Sequence, residues 1–347
     1  MEPTLYPKPP GEAAEEDWIE IRFEVEPALH GYRVDRFLQV RIGRLSRTRI
    51  QTIIGSGQLR FEHGAVVTRT ATRVRAGDTL LLRRPAPEEP DVPMHYGELF
   101  VDDVLMVIDK PSGLPVHPTA RYHRHTLTAL MRTRLGPEHG FQMAHRIDRE
   151  TSGVLALARG AAVRSRRQPP SPAGVLKRSF ARREVHKEYL AIAKGRIDEA
   201  LRIDIPLAFD PDSTINIKMG AVPLRDGGAA ARTDVTPLCH AEFRGEPVSL
   251  VRCVPLTGRQ HQIRVHLALE GHPLVGDKLY GVDERLFREM ADGLLSMDEV
   301  SEEVGLSRQA LHAHVLELPH PVTGTRMRFE APWPALLADI VPLPDDA

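Results

Sequence analysis

The stretch His145-Arg146-Ile147-Asp148-Arg149-Glu150-Thr151-Ser152-Gly153 sets a carboxylate between two arginines, just before a Thr-Ser-Gly turn and an apolar run from Val154. Cations beside a carboxylate hold it ionised at neutral pH. In a dry pocket such a group is a nucleophile. On an open loop the same pattern is a solvated ion pair, and the residues alone leave both readings open. A second stretch, Pro255 to Leu267, offers a guanidinium. Read as a helix over Arg259–Glu270, capped by Thr257 and ended by Gly271, it places Gln260 and Arg264 on one face at i and i+4. Ile263 and Leu267 then form the core face, so a cation can meet a pocket while the other side packs. The alternative is an amphipathic helix whose polar side merely meets water. His261, His266 and His272 invite a metal reading, but no carboxylate or cysteine completes a ligand spacing, so no metal is expected.

Several elements must position these groups. Val104–Ile108 is a short, fully apolar run and reads as a buried strand, followed by the turn-rich KPSGLPVHP loop. Further strands are expected at Val154–Ala158, Tyr189–Ala193 and Ser249–Val254, and a helix at Thr126–Leu135. Strands and helices mix without a regular βαβ repeat, so the fold class is α+β with a mixed or antiparallel sheet. Residues 160–186 hold Pro169, Pro170, Pro172 and many arginines (Arg164, Arg166, Arg167, Arg178, Arg182, Arg183) and read as an inserted surface loop, either RNA-contacting or disordered. A second insertion at about 282–306 is acidic and helix-like, with Met290, Leu294 and Leu295.

The 347 residues suffice for two domains. No run of 18 apolar residues exists, so no membrane span is expected, and the acidic N-terminus carries no secretory signal. Cys239 and Cys253 cannot build a disulfide framework and fit a reducing cytoplasm. The net charge of −1 hides an asymmetry: residues 31–84 carry twelve arginines against Asp35, Glu62 and Asp78, a net +9, which leaves −10 for the rest. So basic a segment reads as a phosphate-backbone surface, or as a merely solvated arginine-rich face. Residues 1–20 read as a flexible acidic tail and the Pro-rich residues 85–95 as a linker between a domain at 21–84 and one at 96–347. In the first domain, Val34, Phe37 and Leu38 follow helical spacing. Ser46 caps a second helix with an Ile50, Ile53, Ile54 stripe that ends at Gly55 and Gly57, and Leu59–Phe61 and Thr79–Leu82 read as strands.

This basic segment resembles an S4-type RNA-binding domain in Arg33-Val34-Asp35-Arg36-Phe37-Leu38, in Ser46-Arg47 opening the second helix, in Gly57-Gln58-Leu59-Arg60 and in Arg75-Ala76-Gly77-Asp78-Thr79-Leu80. It departs from that family at Phe61-Glu62-His63-Gly64. Arg36, Arg47 and Arg49 are its candidate phosphate contacts.

From Asp109 onward the chain resembles the RluA-type pseudouridine synthase family. The resemblance rests on Asp109–Pro118, His145–Gly153, Lys187-Glu188-Tyr189-Leu190-Ala191, Thr257–Leu267, Gly271-His272-Pro273-Leu274-Val275-Gly276-Asp277 and the closing pieces Leu311-His312-Ala313, His320-Pro321 and Ala331-Pro332. It implies an isomerase that breaks the C1′–N1 bond of uridine and re-forms it as C1′–C5. Asp148 would be the catalytic aspartate, attacking C1′ or deprotonating C2′. Arg264 would pair with it, Tyr189 would stack on the target base and help remove the proton from C5, and Arg146 would fill the space a flipped base leaves. His145 and Thr151 would shape the loop. The isomerisation needs no redox change or energy input, so no cofactor is expected. The implied partner is structured RNA, large-subunit (23S) ribosomal RNA in preference to transfer RNA, with the protein a cytoplasmic monomer. The bland alternative is a non-catalytic, ribosome-associated S4-type protein.

Overall fold

The structure is a computed structural model that describes residues 18–42, 46–85, 89–119, 122–160, 170–292 and 294–344. The chain divides into two compact units, residues 1–88 and 89–347.

In the first unit, Trp18–Glu24 (β1), Val34–Arg41 (α1), Arg47–Gly55 (α2), Leu59–Phe61 (β2) and Thr79–Pro85 (β3) surround one core. The strands form an antiparallel sheet in the order β1-β3-β2. The helices arise where the apolar spacing places them: Val34, Phe37 and Leu38 are buried on α1, and Ile50, Ile53 and Ile54 on α2. The Ser46 hydroxyl accepts the Arg49 N–H at 3.2 Å and so caps α2. β1 begins at Trp18, inside the stretch read as a tail; the rest of that stretch lies outside the described residues. The signal was the alternation Ile19, Ile21, Phe23, Val25 against Glu20, Arg22, Glu24. These acids are used: Glu20 meets Arg60 at 2.8 Å and Glu26 meets Arg41 at 2.9 Å, which offsets part of the +9.

In the second unit, Gly97–Val101 (β4), Leu105–Lys110 (β5), Leu127–Leu135 (α3), Phe141–Met143 (β6), Ser152–Arg159 (β7), Pro172–Ala181 (α4) and His186–Lys194 (β8) come first. Then follow Leu201–Asp204 (β9), Leu207–Phe209 (β10), Met219–Ala221 (β11), Arg232–Phe243 (β12), Glu246–Pro255 (β13) and Gln262–Leu269 (α5). Glu284–Ala291 (α6), Met297–Val304 (α7), Leu311–Pro319 (β14), Arg326–Glu330 (β15) and Ala335–Ala338 (α8) complete it. A ten-stranded sheet runs β4-β5-β7-β14-β8-β13-β12-β9, with β15 on β14 and β6 on β7. Its pairings are antiparallel except β7 with β14, which makes the α+β sheet mixed as expected.

Leu105–Ile108 of β5 and Val154–Ala158 of β7 are apolar throughout because both faces are covered. On β7, Leu155 and Leu157 join the core with Leu127, Leu130 and Met131 of α3, while Val154, Ala156 and Ala158 join the one with Leu176 of α4. That second helix corrects the reading of 160–186 as a loop: Ser171 caps it, Pro172 opens it, and Ala173 and Leu176 are buried. Arg164, Arg166 and Arg167 lie outside the described residues. The expected linker is also partly structural: Glu89 accepts the backbone N–H groups of Arg124 and His125, each at 2.8 Å.

Candidate active site

Asp148 sits in the loop between β6 and β7, Arg264 on α5 and Tyr189 on β8. Asp148 and Arg264 are 116 residues apart in the chain, yet Arg264 Nη1 donates to Asp148 Oδ2 at 2.9 Å. All three line one cleft of about 840 Å³, together with His145, Arg146 and Thr151. The sheet brings them together: Tyr189 is paired across β8 with Cys253 of β13 on one side and Ala313 of β14 on the other.

The Asp148 loop is anchored from two sides. Buried Lys110 donates to the carbonyls of Pro111 (2.7 Å), Leu114 (3.0 Å) and Arg149 (3.0 Å). Ser112 Oγ donates to the Glu150 carbonyl at 2.7 Å. This gives the KPSG sequence a physical role: it is a scaffold for the carboxylate loop. From the other side, Lys278 Nζ reaches Glu150 at 2.8 Å, and Gln309 Nε2 reaches Thr151 Oγ1 at 2.8 Å. Directly after the loop, Gly153 takes φ +108°, and a Cβ there would lie 2.1 Å from the Ala313 carbonyl oxygen. Only glycine lets β7 approach β14 this closely.

Burial works against ionisation of Asp148, but the Arg264 charge and the hydrogen bonds from Arg264 and Gln309 outweigh it and hold the carboxyl below its ordinary range. Arg264 is itself buried and keeps its charge because Asp277 clamps it, Nε to Oδ2 at 2.7 Å and Nη2 to Oδ1 at 2.9 Å. Asp277 in turn accepts the N–H groups of Leu279 and Tyr280. Burial and the Asp148 charge both push the Tyr189 phenol well above its usual value, so it stays protonated at neutral pH.

His145 is held by contacts within the protein. Its Nε2 accepts the Ala156 N–H at 3.0 Å, its ring stacks on Phe180 at 4.4 Å, and burial lowers its pKa to about 3. Thr151 is buried and likewise bonded within the protein. Arg146 is exposed at the cleft and has no hydrogen-bond partner among the described residues. Arg36, Arg47 and Arg49 belong to the first unit, on α1 and α2, with Arg36 and Arg47 exposed.

The second stretch needs a correction. α5 begins at Gln262, not Arg259, and His261 before it adopts a left-handed φ of 55°. Gln260 therefore does not share a helical face with Arg264; its amide donates to the Ile217 carbonyl at 3.4 Å. Thr257 does not cap the helix either. Its hydroxyl donates to Gln262 Oε1 at 2.6 Å and accepts the Arg232 N–H at 3.0 Å. The histidines once considered as ligands have separate partners: His266 meets Thr233 and the Ile205 carbonyl, His272 the Lys194 carbonyl, and His261 the Tyr280 hydroxyl. Among the described residues no three potential ligands form a metal-sized cluster. Asp277, Gln309 and Tyr280 were missed as site residues, because their roles arise from contacts across the sheet that no local periodicity encodes.

Comparison with known proteins places the chain among pseudouridine synthases. Residues 104–269 match the family described as RNA pseudouridylate synthase. The chain is 34% identical over 319 residues to the ribosomal large subunit pseudouridine synthase D of Zymomonas mobilis, covering 88% of this chain and 91% of the relative. It is 33% identical to the protein of the same name from Nitrosomonas europaea, covering 97% and 93%. It is also similar to the solved human RNA pseudouridylate synthase domain containing 1, at 27% identity and a TM-score of 0.52, over 70% of this chain and 86% of that one.

Proposed function

The chain belongs to the RNA pseudouridine synthase family, and from that premise we propose that it isomerises uridine to pseudouridine in large-subunit (23S) ribosomal RNA, as a cytoplasmic monomer. The observation that carries this reading is the Asp148–Arg264 pair at 2.9 Å in a cleft beside Tyr189. A uridine within a stacked helix cannot reach Asp148, so the nucleotide must be flipped out, at a loss of about a few kcal/mol of stacking. Tyr189 offers a face that returns about 1–3 kcal/mol by stacking on the base. Arg146, exposed at the cleft and without a hydrogen-bond partner among the described residues, occupies the vacated place in the RNA.

The ionised Asp148 then acts at the sugar, by attack on C1′ or by proton removal at C2′. Arg264 keeps it charged, and Asp277 fixes Arg264. The C1′–N1 bond breaks, the freed uracil turns within the cleft, and C5 bonds to C1′ as Asp148 leaves C1′ or returns its proton to C2′; a base then takes the C5 proton and N1 gains one. The first unit, with Arg36, Arg47 and Arg49 on its two helices, supplies S4-like phosphate contacts that hold the RNA without reading its sequence.

Asp148→Asn keeps the shape and removes the charge. Tritium release from C5-labelled 23S rRNA is expected to disappear while RNA affinity stays within about twofold, since phosphate contacts dominate affinity. A purified Asp148→Asn protein that still makes pseudouridine would overturn the assignment.

A further inference from the structure

His261 stands out in the cleft for reasons the ion pair does not explain. It takes a left-handed φ of 55°, a region that non-glycine residues populate sparsely and that is held only when surrounding contacts require it. Those contacts turn its ring inward, with the side chain 11% exposed. Nδ1 lies 2.9 Å from the Tyr280 hydroxyl. Nε2 faces Asp148 Oδ2 at 4.0 Å, too far for a hydrogen bond, and the residue lines the cleft.

The Tyr280 hydroxyl fixes where the imidazole proton sits. Tyr280 is buried, and its oxygen already accepts the Met219 N–H at 3.0 Å. Its single proton needs an acceptor, and among the described residues His261 Nδ1 is the one in reach. The opposite arrangement, Nδ1–H donating to the hydroxyl, strands a buried O–H with no partner. Nδ1 therefore accepts, and Nε2 carries the proton. Burial and the Arg264 charge, which outweigh the pull of Asp148 and Asp277, lower the ring's pKa to about 4, so the ring is neutral at neutral pH. A neutral donor matters here: an imidazolium would pair with Asp148 and compete with the sugar for it.

We infer that Tyr280 sets His261 as a neutral Nε2–H donor that hydrogen-bonds a carbonyl oxygen of the flipped uracil, alongside Asp148 and without neutralising it. This rests on the reading of the chain as a uridine isomerase. The contact gives the base a polar anchor from the residue that precedes α5 rather than from the sheet.

Two measurements on the full chain test it. In protein labelled with nitrogen-15 histidine, two-bond proton correlations at pH 7 are expected to show His261 protonated on Nε2 and bare on Nδ1, the signal being assigned by its loss in His261→Gln. A ring protonated on Nδ1, or on both nitrogens, overturns the inference. The second is single-turnover tritium release from C5-labelled 23S rRNA transcript. His261→Asn accepts the left-handed backbone but is too short to reach, and is expected to lose about tenfold in rate at unchanged RNA affinity, the worth of one hydrogen bond. His261→Gln, with an amide N–H, should recover part of that loss, and Tyr280→Phe should fall between. A His261→Asn protein at the wild-type rate removes the contact and leaves the isomerase reading standing. A wild-type protein that releases no tritium removes that reading, and the substrate contact with it.

Discussion

At the scale of single residues, the site works by stacking one electrostatic constraint on another. Burial alone would push the Asp148 carboxyl toward its neutral form; Arg264 reverses that, and Arg264 can be buried only because Asp277 holds two of its nitrogens. The outer carboxylate should therefore matter for rate even though it never meets RNA. Asp277→Asn preserves the shape and removes the charge. It is expected to slow single-turnover tritium release by about 10–100-fold, the worth of a charged hydrogen bond, with RNA affinity little changed. It should also lower stability by about 3–5 kcal/mol, because the Arg264 charge is left under-compensated in a buried place. An Asp277→Asn protein of unchanged rate would mean that Asp148 alone orients Arg264.

At the scale of elements, the decisive contact is the parallel meeting of β7 and β14, where Ser152 pairs with His312 and Gly153 with Ala313. β7 starts directly behind the Asp148 loop, so any shift there moves the carboxylate. Gly153→Ala sets a methyl where the Ala313 carbonyl already stands and forces a φ of +108° on a residue with a Cβ. The expected cost is about 3 kcal/mol or more in urea unfolding, with activity lost in the fraction that still folds. A neutral outcome would show that the two strands can separate without displacing the loop. The sequence signalled β7 well, as an apolar run bounded by a turn. It signalled α5 less well, because the strained His261 delays the helix by three residues and no propensity rule anticipates a histidine in the left-handed region.

At the scale of the whole molecule, charge is distributed by unit. The arginines of the first unit are partly paired with its own acids, yet Arg36 and Arg47 remain exposed. If they neutralise phosphates, Arg36→Ala with Arg47→Ala should weaken RNA binding and reduce the slope of log affinity against log salt by about 1 for each arginine removed. An unchanged slope would assign them to solvent. Protons act on the whole fold as well. His145 and His312 have pKa values lowered to about 3, and His261 to about 4, in each case chiefly by burial. Each binds a proton below about pH 6.5 when unfolded but not when folded, so stability is full above that pH and falls as pH drops toward 4. The slope is at most about 1.4 kcal/mol per pH unit for each histidine. Urea midpoints at pH 7 and pH 5 measure it, and equal midpoints would mean that these rings are charged in the fold.

The sequence by itself determined the family, the apolar runs of β5 and β7, the two helices of the first unit with the Ser46 cap on the second, and which positions to single out as site candidates, Asp148, Tyr189 and Arg264, because each is written in a local pattern or a contiguous motif. It could not show that Asp148 lies in a cleft rather than on an open loop, since charge spacing is the same in both. Only the tertiary structure decided that, by passing β8, α5 and the β7 loop through one place. The same closure created the roles of Asp277, Gln309 and Tyr280: hydrogen bonds and burial join residues far apart in the chain, and no period or propensity along it records which distant groups will meet.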